Sequence, residues 1–257
     1  MSESNKRNFI VHGSILAIAG ILVRIIGMLY RIPVVNIIGS EGNGIYGAAF
    51  NIYNIMLVLS SYGLPMAVSK LVSARFTKRR YKSAAKVLRC SLMVAVCTGG
   101  IAALLVFSGA SFIENVIYGG GLPGLAIPLR ILAPTIFLVA ILGVIRGFFQ
   151  GQSTMIPTAV SQILEQIINA IVSIAAGYGM MKAFASSPDV AAYGAAGSTL
   201  GTAMGALTAV LFMGFLYAIY TPTFNRLKRK DRHTENQSIG QICKIIIYTM
   251  IPIILGQ

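Results

Sequence analysis

The sequence contains no tryptophan, two histidines, three cysteines and seven acidic residues among its 257. Charged side chains make up 11% of it, against about 25% in an ordinary soluble domain. That scarcity excludes the usual water-facing surface of a soluble globular protein. His12 and His233 stand near opposite ends of the chain, so no metal-ligand cluster can be read from them. No Walker loop and no G-x-S-x-G elbow is present. The chain therefore carries no enzyme signature and no ATP-driven engine, and no cofactor is expected. Cys90, Cys97 and Cys243 form no C-x-x-C pair. Cys90 and Cys97 share a helix face and are expected as small buried side chains. Without tryptophan, any interfacial aromatic belt must come from the 11 Tyr and 12 Phe.

Hydrophobic residues are what the chain has instead: 56% of the total, at a mean hydropathy of +0.76. Long apolar runs recur along its whole length, as in an integral membrane protein. Six segments match the ~20 residues a bilayer core requires: 10–38, 43–72, 84–108, 126–150, 156–184 and 193–220. A seventh begins near Ile239. The expected fold is an all-α polytopic membrane protein. Lys6 and Arg7 precede an apolar run in which Ala17-Ile18-Ala19 fits a signal-cleavage pattern. The run continues through Leu29, which predicts a retained first helix instead of a cleaved leader.

The net charge of +14 is concentrated in two places, Lys70 to Arg89 and Arg226 to Arg232. Both lie between apolar segments, so they read as cytoplasmic loops attracted to anionic lipids, and not as a nucleic-acid surface. The expected outer loops near 39–43, 109–125 and 185–192 hold no Lys or Arg at all. This asymmetry predicts a cytoplasmic N-terminus. Turns are expected at "GSEGNG" (39–44), "YGGGLPG" (118–124) and "SSPD" (186–189). Pro157 suits the first turn of the fifth helix, and Gly63 with Pro65 should bend or unwind the second.

Polar residues inside the apolar segments are the functional candidates. On a helix, Thr158, Gln162, Glu165, Gln166, Asn169 and Ser173 form one stripe through the fifth segment. Such a stripe must face protein or a wet cavity. Cavity lining and interhelical hydrogen bonding are the two readings. The second segment has a similar stripe of Gly47, Asn51, Asn54 and Ser61. In the first, Arg24 and Arg31 share a face, beside Gly13, Gly20 and Gly27. Arg31 is placed to snorkel to the interface. Arg24 lies deeper, where a guanidinium suits an anion such as phosphate, with an internal pair to Glu165 as the rival. Gly197, Gly201 and Gly205 read as a close-packing surface. "GNGIYG" (42–47) matches G-x-G-x-x-G but joins two membrane segments, so nucleotide binding is not expected.

Three stretches resemble a known group: "VRIIGMLYRIP" (23–33), "GSEGNGIYGAAFNIYNIMLVLSSYGLPMAVSKLVS" (39–73) and "IRGFFQGQSTMIPTAVSQILEQI" (145–167). They are similar to the polysaccharide-flippase branch of the multidrug/oligosaccharidyl-lipid/polysaccharide exporter superfamily. The stage V sporulation protein B-like group, which includes lipid II flippases of Gram-positive bacteria, is the nearest in pattern. The resemblance implies two six-helix lobes forming a V around a central cavity in the bacterial cytoplasmic membrane. It implies lipid-linked oligosaccharides as cargo, moved outward by alternating access. In lipid II flippases first-helix cations engage the lipid pyrophosphate, and Arg24 and Arg31 match those places. A further Arg late in the second helix has no counterpart in "SSYGLPMAVS" (60–69).

On this reading 1–232 is a six-helix N-terminal lobe and 233–257 starts a second, with the C-terminal lobe missing from a fragment or truncated product. Such a lobe alone should not transport. The expected substrate-binding residues are Arg24, Arg31, Asn51, Asn54, Gln162, Glu165, Gln166 and Asn169. Expected partners are a lipid-linked glycan, anionic lipids, the C-terminal lobe and cell-wall synthesis proteins. Two other functions remain open. A cation-coupled multidrug exporter of the same superfamily would need a carboxylate or aromatic cage for its cargo. A non-transporting scaffold in envelope or spore-cortex synthesis would need no polar stripes facing a cavity.

Overall fold

The computed structural model describes residues 3–232 and 238–256; His233 and the side chains of Lys6, Arg7 and His12 fall outside what it describes. The described residues form helices and short turns, with no strand. The helices are α1 (Glu3–Ser60), α2 (Leu64–Thr77), α3 (Tyr81–Phe112), α4 (Ala126–Gly151), α5 (Ile156–Ala183), α6 (Val190–Lys230) and α7 (Ile239–Leu255). Five runs are long and apolar enough to cross a membrane, the longest being Ser14–Thr77. That run is divided by Gly39, whose φ of 71° and ψ of −175° interrupt the helix. The six apolar limbs coincide with the six segments expected from the sequence. Side chains such as Leu104, Leu211 and Phe215 lie exposed on their outer faces, as lipid-facing residues of a multi-pass membrane protein do.

The first turn, expected on the outer side, is tighter than "GSEGNG" suggested. Helix resumes at Ser40, and Gly39 alone makes the break. A residue without a Cβ can take a positive φ at little cost, so one position does the work of a loop. The connection at "YGGGLPG" is a true loop. The chain leaves α3 through a π-helical turn, Ile113–Ile117. Within it the Glu114 carboxylate accepts the Gly124 N–H at 3.0 Å and the Ala126 N–H at 2.7 Å. The acid thus closes the loop and sits at the positive end of α4.

Gly63 and Pro65 act as expected. The second limb of α1 ends at Ser60, and α2 starts at Leu64 with Pro65 in its first turn. α2 then lies in a groove of α4 made by Gly143, Gly147 and Gly151. A Cβ on Gly147 would fall 2.5 Å from the Pro65 carbonyl oxygen, and one on Gly151 would fall 2.7 Å from Val72 Cβ. Sequence reading did not single out this stripe.

Two apolar cores hold the helices. One joins the two limbs of α1 to α3, α4 and α6 around Val34, Ile45, Leu129 and Ile136. The other joins α2, α3, α4, α6 and α7. Its centre is aromatic: the buried Phe148 ring meets Phe224 at 5.3 Å and Tyr217 at 5.7 Å between centroids. α7 adds Ile242, Ile246 and Met250 to this core. Of the cysteines, Cys90 is buried there, but Cys97 is exposed. The expectation of burial fails for Cys97 because the α3 face that is covered at Cys90 is open two turns further along.

Candidate functional site

The polar stripe of α5 divides into two halves with different surroundings. In the half nearer the α5 C-terminus, Asn169 and Ser173 are buried between α1 and α6. Asn169 Nδ2 donates to the Tyr30 hydroxyl at 3.3 Å, and Asn169 Oδ1 accepts from Thr202 at 3.4 Å. Ser173 Oγ lies 2.9 Å from Asn169 Oδ1 and 2.8 Å from the Ser198 carbonyl oxygen, and its single proton serves one at a time. This half is interhelical hydrogen bonding. The glycines of α6 make it compact: a Cβ on Gly205 would lie 2.6 Å from the Glu165 carbonyl oxygen, and Gly201 abuts Ser173 and the Asn169 backbone. Close helix packing is therefore the role of Gly197, Gly201 and Gly205. Gln166 is half-buried against the first limb of α1, its Nε2 3.2 Å from where a Gly27 Cβ would stand.

The half nearer the α5 N-terminus borders a recess of about 290 Å³. Its walls come from α1 and the turn after it (Leu57, Ser61, Tyr62), from Pro65, from α4 (Val139, Gly143, Arg146, Gln150) and from α5 (Thr158, Gln162). Thr158 Oγ1 is buried and without a hydrogen-bond partner. Ser61 is the one member of the second-segment polar stripe on this wall; Asn51 and Asn54 lie exposed elsewhere on α1.

Arg146 dominates the recess. Its Nη2 donates to Glu165 Oε2 at 2.7 Å and its Nε to Ser161 Oγ at 2.9 Å. The side chains are 14% and 25% exposed, so the pair is shielded without being sealed. Glu165 is the only acidic residue in the six apolar segments. Its partner is Arg146 of α4, not Arg24 as the rival sequence reading had it. Arg24 and Arg31 lie on an exposed face of α1, and neither makes an ion pair among the described residues.

The sequence reading left Arg146 out of the site. A signal was available: the only acid in the apolar segments needs a cation at membrane depth, and Arg146 sits in the neighbouring segment. Tyr30 and Thr202, which complete the Asn169 cluster, were missed as well. No single-helix stripe contains them, because they enter from two other helices. Among the described residues no group of acids, histidines and cysteines is placed to hold a metal ion.

Known proteins resemble this chain throughout its length. The family description "Polysaccharide biosynthesis protein" matches residues 10–251. The lipid II flippase MurJ of Bacillus subtilis is 34% identical over 66% of this chain and 32% of its own length. The stage V sporulation protein B of the same organism is 29% identical over 95% of this chain and 46% of its own. A crystal structure of a MATE protein in the straight conformation superposes with a TM-score of 0.76 over 98% of this chain and 53% of its own, at 17% identity. A second, an outward-facing MATE family multidrug resistance transporter, gives 0.70 over 95% and 52%. The chain spans half or less of the length of these curated relatives. Its helices follow the MATE transporter fold, and by sequence it belongs to the polysaccharide biosynthesis protein family.

Proposed function

We propose that the chain forms one lobe of a two-lobed flippase for lipid-linked oligosaccharides, of the class to which lipid II belongs. The observation that carries this reading is a charge balance. The one carboxylate in the apolar segments is already neutralised by Arg146 at 2.7 Å, while Arg24 and Arg31 stand exposed and unpaired. A lobe with surplus guanidinium groups and no free carboxylate within its six apolar segments suits an anionic headgroup and repels a cationic drug. The multidrug-exporter reading loses its ligand on the same count. The flippase and sporulation relatives support transport over catalysis, and the MATE-like fold supports alternating access around a cavity shared with a second lobe.

Depletion of the gene, followed by a leaflet assay for lipid-linked precursor, tests the reading. Precursor accumulating in the inner leaflet is the expected result. An unchanged leaflet distribution overturns it. The direction of transport rests on a cytoplasmic N-terminus. Tags in 70–89 and 226–232 should report inside and a tag near Pro188 outside; the reverse pattern reverses the direction.

A further inference from the structure

We infer that the recess beside Arg146 is a binding subsite for a phosphate-type oxyanion, with Glu165 acting as a tether that the anion displaces from the guanidinium. The inference rests on the flippase reading only for the source of the anion; the chemistry comes from the recess itself.

A carboxylate and a guanidinium can meet through two parallel hydrogen bonds. Here they do not. Glu165 takes a single N–H, from Nη2, and Ser161 takes Nε. Nη1 has no acceptor among the described residues. The side chain is only 14% exposed, yet Nη1 is not among the buried atoms left without a partner, so this edge stays open where the group borders the recess. A donor edge with fixed positive charge, held in place by Glu165 and Ser161 and open to a confined recess, suits an anionic acceptor.

The other walls fit the same ligand. Ser61, Tyr62, Gln150, Thr158 and Gln162 all offer N–H or O–H donors, and no carboxylate lines the recess. Thr158 Oγ1 is buried there without a partner. A sugar would use the amides and hydroxyls but has no need of the guanidinium. A cation would be repelled by it. A volume of about 290 Å³ lies at the lower limit of ligand pockets, about 300 Å³. It admits a headgroup-sized anion and excludes a whole lipid-linked glycan, which makes the recess a subsite.

Glu165 is then a competitor as well as a tether. Without an anion beside it, Glu165 keeps Arg146 neutralised inside the apolar segments. An arriving oxyanion takes the free edge and weakens the Glu165 contact. The two residues therefore have opposite effects on anion binding, and a purely structural ion pair gives no such opposition.

The test uses the full chain in phosphatidylcholine nanodiscs, titrated with inorganic pyrophosphate by calorimetry and with nanodiscs carrying a polyprenyl pyrophosphate. Glu165→Gln should tighten pyrophosphate binding about tenfold, within the usual range of coupling between linked equilibria. Arg146→Gln should weaken it at least about tenfold. Because that change strands Glu165, the charge-free double variant Arg146→Gln/Glu165→Gln provides a folded control, and it should bind as weakly as Arg146→Gln. Arg24 and Arg31 are common to every variant, so the differences isolate Arg146. If both single variants shift binding in the same direction, or the double variant binds like the parent, the subsite is refuted. Tighter binding of the polyprenyl form assigns the subsite to a lipid headgroup; equal binding of the two assigns it to a free anion. Failure here with a positive leaflet assay removes the subsite and leaves the flippase reading. Pyrophosphate binding with an unchanged leaflet distribution does the reverse.

Discussion

Asp231, just beyond the C-terminus of α6, accepts a hydrogen bond at 2.8 Å from the backbone N–H of Lys82 in the first turn of α3. Arg80, which precedes α3, provides no side-chain cap of its own. Asp231 replaces it from 149 residues away, bringing a negative charge to the positive end of the helix dipole. Asp231 is buried, 5% exposed as a residue. Asp231→Ala should therefore destabilise the protein by about 1–2 kcal/mol. Asp231→Asn, which keeps an acceptor, should lose less. Melting in detergent, followed by a thiol-reactive dye as the buried Cys90 becomes accessible in a Cys97→Ser background, reports both. Equal melting of parent and Asp231→Ala would refute the capping role.

The α5–α6 contact makes a sharper comparison. Gly201 meets Ser173 and the Asn169 backbone, while Gly214, on the same helix, has nothing within 4 Å of where a Cβ would stand. Gly201→Ala should cost about 1–3 kcal/mol through overpacking. Gly214→Ala should be neutral or slightly stabilising, because alanine is the better helix former. The same melting assay distinguishes them. Equal shifts for the two variants would mean that the helices do not approach as closely as the structure has them.

Apolar periodicity made the six membrane limbs legible, since only helices satisfy their backbone polar groups within a bilayer. The breaks at Gly63 and at "YGGGLPG" were legible through glycine and proline. The site was legible only in part. A stripe on one helix shows that polar groups must be satisfied, but not by which neighbour. The pairing of Glu165 with Arg146, and of Asn169 with Tyr30 and Thr202, depends on how α1, α4 and α6 pack around α5. The single-residue break at Gly39 was hidden because a turn-rich hexapeptide and a helix interrupted once share the same composition.

Arg24 tests the anionic-cargo reading on the first limb of α1. It is exposed and makes no ion pair among the described residues, so its removal should leave folding intact. Membrane insertion should even improve, since a central Arg costs about 2.5–3.5 kcal/mol on insertion scales. Arg24→Ala should nevertheless abolish transport in the leaflet assay. Arg24→Lys should impair it, because lysine keeps the charge but loses the planar fork. Full activity of a normally inserted Arg24→Ala variant would remove Arg24 from the site.

The two arginines differ in what they hold, and a pair of double-mutant cycles separates them. Replacing Arg146 strands a Glu165 carboxylate at membrane depth; replacing Glu165 strands a shielded guanidinium. Each single alanine variant should therefore lose stability, and the double variant should recover part of the loss. The expected coupling is about 1–3 kcal/mol, below the value for a fully sealed pair because both side chains keep some exposure. The second cycle joins Arg24 to Glu165. The structure gives these residues no contact, so their effects on melting should add within about 0.5 kcal/mol. A large Arg24–Glu165 coupling, together with none for Arg146–Glu165, would show that the membrane-embedded protein holds its only deep carboxylate on α1 and not on α4. A large coupling in both cycles would show instead that Glu165 passes between two arginines, with the α4 partner as its resting position.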